Sequence, residues 1–141
     1  MRTWQRFCAL NAADRRLILE AAAWLALVRA GISTLPFLTL QRALASISNR
    51  LTRAPDDPQA AALRVAWAIT AAGRHFPSRV TCLIESLAAE AMLRRRGLTC
   101  AVRLGVKRPG PSSLAAHAWV EHNGAVLLGE TEDLSEYAEL R

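Results

Sequence analysis

Apolar residues recur at three- and four-residue steps over the first two thirds of this chain, and at alternate positions over the last third. Leu17, Ala21, Trp24, Leu25 and Val28 mark a first helix. Asn11 or Asp14 can cap it, and it runs to about Arg29, where Gly31-Ile32-Ser33 breaks it. A second helix carries Leu35, Leu38, Leu40, Leu44 and Ile47 and runs to about Arg50, with Pro36 in its first turn. Its apolar face is broad, which implies burial against the first helix or a docking surface for a partner within residues 17–44. Ala54-Pro55-Asp56-Asp57-Pro58 is a loop, and it divides a single domain, residues 1–141, into a helical region 1–54 and a core region 55–141. A third helix follows from about Pro58 to Gly73.

The fourth helix begins near Cys82. Ser78 or Thr81 can serve as its N-cap, Ile84, Leu87, Ala88 and Ala91 form its apolar stripe, and Arg94, Arg95, Arg96 and Gly97 close it. Beyond Gly97 the helical period gives way to alternation: Cys100, Val102, Leu104 and Val106 lie on one face of a strand, Ala101, Arg103 and Gly105 on the other. Pro109 to Ser113 is a loop, and a second strand covers Leu114 to His122. Asn123-Gly124 is a strong hairpin signal, leading into a third strand from Ala125 to Gly129 or Glu130. The pattern leaves the tail from Thr131 undecided. Helices followed by an antiparallel meander make the class α+β.

Two of these elements carry candidate chemistry. A thiol at a helix start meets the positive end of the helix dipole, which favours the reactive thiolate. Cys82 is such a thiol, and His117 on the second strand is a candidate base. A two-residue turn at Asn123-Gly124 sets His122 opposite Ala125, Val120 opposite Leu127 and His117 opposite Glu130. Glu130 can then hold the imidazole and fix its tautomer, the third part of a nucleophile, base and orienter arrangement. A bulge would shift that register by one. Asp133, Glu132 and Glu121 follow Glu130 in order of preference. Trp119 shares a face with His117 and either walls the site or fills the core. A core cysteine and a merely structural histidine are the bland alternatives, and His75 and His122 are read in that way. The histidines and cysteines lack the close spacing of a metal site, so neither metal nor cofactor is expected.

The three cysteines are unpatterned, which points away from a disulfide framework and towards a cytoplasmic setting. Net charge is +6, but the basic residues are dispersed, not interleaved with aromatics, so nucleic-acid binding is not expected. The most membrane-like stretch, Leu17 to Leu38, contains Glu20, Arg29 and Pro36, and a buried helical pair explains it better. Met1-Arg2-Thr3-Trp4 does not open like a signal peptide.

Pro77-Ser78-Arg79-Val80-Thr81-Cys82-Leu83, Leu93-Arg94-Arg95-Arg96-Gly97-Leu98, Arg103-Leu104-Gly105-Val106 and Ala116-His117-Ala118-Trp119-Val120-Glu121 resemble the transglutaminase-like proteases of lasso peptide biosynthesis, in their stand-alone leader peptidase form. The stretch Asp14 to Leu44 with Leu35-Pro36-Phe37 is similar to that family's N-terminal region, so the resemblance covers nearly the whole chain. It implies a papain-like core that cleaves a ribosomally made precursor after its leader peptide, with Cys82 as nucleophile and His117 as base. The family's acidic third member lies about a dozen residues after the histidine; here Gly129 occupies that position and Glu130 is next to it. The resemblance also implies partners: the precursor leader, a separate leader-recognition protein, for which this chain is too short to carry the fused domain, and an ATP-dependent lasso cyclase. True acyl transfer and a non-catalytic scaffold are the rival functions.

Overall fold

A computed structural model describes residues 2–49 and 54–140 of the chain. Five helices come first: α1 (Arg2–Ala9), α2 (Ala12–Thr34), α3 (Phe37–Ser48), α4 (Pro58–Arg74) and α5 (Cys82–Arg95). Then come strands β1 (Ala101–Gly110), β2 (Ser113–His122) and β3 (Ala125–Leu128), a short 3-10 turn (Leu134–Glu136) and β4 (Ala138–Glu139). The fold is α+β, with N-terminal helices against a small antiparallel sheet of strand order β3-β2-β1-β4.

Local chemistry sets the helix starts. The Asn11 side chain accepts from the Asp14 N–H at 2.8 Å, and Asp57 caps α4 by accepting from the Ala60 N–H at 3.0 Å. The expected break at Gly31 is not there: α2 runs through it to Thr34. Gly31 permits close packing instead, since a Cβ at this position would meet Leu40 Cδ1 at 2.4 Å. The hydroxyls of Ser33 and Thr34 donate back to the Arg29 and Ala30 carbonyls and hold the last turn. The chain turns at Leu35 and Pro36. The expected end of the second helix at Arg50 falls outside the described residues.

α5 is the central element. It packs against α2, α3 and α4 on one side and against β1 and β2 on the other. Ile84, Leu87, Met92 and Leu93 are fully buried in one cluster with Leu25 and Val28 of α2, Val65 and Ile69 of α4, and Val120 of β2. That cluster spans both sides of the 54/55 division. Just past α5, the Arg96 guanidinium grips Glu20 of α2 through two bonds of 3.0 and 2.6 Å and donates to the Met92 carbonyl. By length and composition α2 could also cross a membrane; 28% of its most apolar window is buried in this fold.

The sheet departs from expectation in two places. Pro109 to Ser113 is not an open loop: β1 and β2 extend to Gly110 and Ser113 around a tight turn, with a register shift between Lys107 and Gly110. The second departure governs the site. His122 pairs with Ala125 and Glu121 with Val126, as the Asn-Gly turn dictates, but Val120 then pairs with Leu128. A bulge has entered at Leu127. Leu127 and Leu128 both pack against the core, which consecutive residues of a regular strand cannot do, and the bulge reconciles them.

Candidate active site

Cys82 is the first residue of α5. Thr81 is its N-cap, accepting from the Ile84 N–H at 3.4 Å, and the thiol is half-buried. The first N–H groups of a helix have no intrahelical partner, so the thiol sits beside free donors at the positive end of the dipole. The other thiols differ. Cys8 is exposed, whereas burial, with a smaller push from Glu90, raises the Cys100 thiol to about 11.

Alternation along β2 puts His117, Trp119 and Glu121 on one face and Ala118, Val120 and His122 on the other. The Val120 face packs on the helices, while the His117 face is covered by the C-terminal tail. The imidazole stacks against Trp119, with centroids 6.2 Å apart and planes at 19°, and lies 5.5 Å from the Tyr137 ring. Gly105 is the residue opposite His117 on β1, and a Cβ there would meet Trp119 and Tyr137 at 2.9 Å, so only glycine lets the two rings lie this close to the sheet. Trp119 is fixed in turn by its indole N–H, which donates to Glu121 Oε1 at 3.0 Å. That bond, with the Arg103 guanidinium at 3.1 Å, holds the Glu121 carboxyl below the usual range. Glu121 is thus committed to Trp119 and Arg103.

His117 Nε2 lies 2.6 Å from the Gly129 carbonyl oxygen. A carbonyl only accepts, so Nε2 carries the proton and, in the neutral ring, Nδ1 is the free base. In this structure the ring is held by the Gly129 backbone oxygen and not by the Glu130 carboxylate. The bulge ends the regular pairing at Leu128, so the inferred opposition of His117 and Glu130 does not form. Glu130 is exposed, and no hydrogen bond joins it to His117. Asp133 pairs with Lys107, whose ammonium also lies 4.8 Å from the Tyr137 ring centre, and Glu132 is exposed. No hydrogen bond links Cys82 to His117: α5 packs on the Val120 face of β2, and the imidazole lies on the opposite face, so the structure does not bring the two groups together.

His122 is buried and structural, its Nδ1–H donating to the Thr99 carbonyl at 2.6 Å, and His75 is exposed at the end of α4. Among the described residues no cluster of three His, Cys, Asp or Glu side chains is placed to hold a metal ion. Gly129 and Tyr137 are the neighbours of His117 that sequence reasoning missed. A backbone carbonyl carries no residue signature, and Tyr137 sits in a tail without periodicity.

A family model described as the transglutaminase-like superfamily matches residues 22–141. Searches of the curated proteins and of the solved structures return no match to this chain. The matched span runs from α2 through α5, with its N-terminal cysteine, to the histidine strand and the tail, and on that ground the chain belongs to the transglutaminase-like superfamily.

Proposed function

We propose that this protein is a cysteine peptidase that removes the leader peptide from a ribosomally made lasso peptide precursor. The observation that carries the reading is the half-buried thiol at the start of α5; the histidine on β2, its Nε2 proton held by the Gly129 carbonyl, lies on the far face of the sheet. The superfamily supports thiol-based peptidase or acyl-transfer chemistry, and the motif resemblance narrows this to leader removal.

In this reading the imidazole turns to the α5 side of the sheet, Cys82 gives its proton to His117 Nδ1, and the thiolate attacks the last leader carbonyl. The oxyanion forms against the free Cys82 N–H. The imidazolium protonates the leaving amine, which becomes the N-terminus of the core peptide, and a thioester to the leader remains. The neutral ring then takes a proton from water, hydroxide adds to the thioester, and the leader leaves as a carboxylate. Glu130, next to the carbonyl that holds the ring, is the carboxylate proposed to complete the triad. The chemistry belongs in a cytoplasmic complex with a leader-recognition protein and an ATP-dependent cyclase, and it requires no metal or cofactor.

The test is mass spectrometry of a precursor incubated with the peptidase and its recognition protein. Cys82→Ala should abolish cleavage and leave the fold intact. Normal processing by that variant refutes catalysis and favours the scaffold reading, which draws on the missing hydrogen bond between Cys82 and His117. A product carrying the leader joined to an added amine identifies acyl transfer instead.

A further inference from the structure

We infer that the outward face of α2 binds an anionic lipid surface, holding the protein on a membrane without crossing it. Arg16, Leu19, Ala23, Ala26, Leu27 and Ala30 recur at helical spacing and are all exposed, on the side of α2 opposite the buried Leu17, Ala21, Trp24 and Val28. Leu19 and Leu27 keep 59% and 44% of their surface exposed and stand about two turns apart on that side. From Leu19 to Ala30 the strip runs about 16 Å without an aromatic or hydrogen-bonding side chain.

Charge identifies what covers it. Eight of the eighteen Arg and Lys residues but only two of the twelve Asp and Glu fall in residues 1–53, so that segment carries the whole net charge of +6. Both acids are neutralised from elsewhere in the fold, Asp14 by Arg64 and Glu20 by Arg96. Arg16 on the strip and Arg29 at its flank are exposed and make no ion pair among the described residues. An apolar strip beside uncompensated arginines is the pattern of a helix lying in a membrane interface, apolar side inserted and cations at the headgroups. A specific protein interface would bring aromatic anchors and hydrogen-bonding groups to its centre; the strip from Ala23 to Ala30 has neither, and only its Leu19 end borders aromatics, Phe7, Trp67 and Phe76.

The test is flotation of the intact protein with vesicles of phosphatidylcholine alone, or of phosphatidylcholine and phosphatidylglycerol in equal parts. The protein should float with the anionic vesicles at low salt, stay largely in solution with the neutral ones, and be partly released by high salt. Leu19→Glu with Leu27→Glu should abolish flotation while circular dichroism stays unchanged, which is expected for exposed positions. Arg16→Glu with Arg29→Glu should weaken binding about ten-fold or more. Three results overturn the inference: no binding to anionic vesicles, equal binding to neutral ones, or binding that survives the paired leucine substitutions. A dimer in light scattering that Leu27→Glu converts to monomer, or capture by an acidic amphipathic peptide without vesicle binding, assigns the strip to a protein partner and also overturns it.

Discussion

Three cysteines in one small protein meet three different environments, and reactivity follows from them. Burial keeps the Cys100 thiol protonated at neutral pH, since its pKa stands near 11. Cys82 sits half-buried at the start of α5. Iodoacetamide at neutral pH should therefore label Cys82 well before Cys100, as read by peptide mass mapping; the reverse order would contradict an activated site. A second residue, Glu85, lies one turn into the same helix, where a Cβ on Gly73 would come within 2.8 Å of its carboxylate oxygen. Burial raises its carboxyl above the usual value, and burial does the same to Glu90, with Arg94 opposing. A raised folded-state pKa means that the native state binds the proton more tightly than the unfolded chain. Stability then declines as pH rises from the unfolded to the folded pKa, and levels off above both. Glu85→Gln should make that decline shallower in thermal midpoints measured from acid to neutral pH, and a variant with the wild-type slope would remove Glu85 as its source.

At the scale of elements, the β2–β3 hairpin decides which group orients His117. Gly129 has φ of +85°, and a Cβ there would lie 2.8 Å from the Ala118 carbonyl oxygen. Gly129→Ala is thus strained twice, at a cost of about 1–3 kcal/mol, and it shifts the carbonyl that holds the ring. We expect it to impair precursor cleavage more than Glu130→Gln, which changes an exposed side chain. A drop of about ten-fold or more in Glu130→Gln, in a protein that stays folded, would show that the carboxylate closes onto His117 during catalysis. The bulge that separates these outcomes is driven by packing: Leu127 and Leu128 are both drawn to the core, and the register yields.

The whole molecule is held together through α5, which the N-terminal helices cover on one side and the sheet on the other. Removing residues 1–54 would strip Leu17, Trp24, Leu25, Val28, Leu40 and Leu44 from the core and leave Arg96 without Glu20. The lost burial is about 1.5–3 kcal/mol for each large apolar side chain, more in sum than a small domain has to spare. The truncated chain should be insoluble or lack a cooperative melt. A soluble, cooperatively folded fragment would establish the region from 55 onwards as a domain in its own right.

Much of this protein was written in local patterns. Helical spacing marked the helices from α2 to α5 and the Asn-Gly pair marked the hairpin; of the caps the sequence offers, Asn11 or Asp14 and Ser78 or Thr81, the structure uses Asn11 and Thr81. These features depend on neighbours a few residues away, which a sequence displays directly. The position of Cys82 at a helix start was legible for that reason. Local pattern makes Gly31 a break, but in the fold it admits Leu40, a contact made only once α3 folds back. The turn alone places Glu130 opposite His117, whereas the bulge brings the Gly129 carbonyl there, because register past the first pairs of a hairpin is settled by which side chains the core accepts. The tail brought Tyr137 onto the imidazole by pairing β4 with β1, a long-range contact with no local period. Sequence determined which groups could react; tertiary packing decided which atoms they face, because side-chain burial against distant elements outweighs the turn's preference for register.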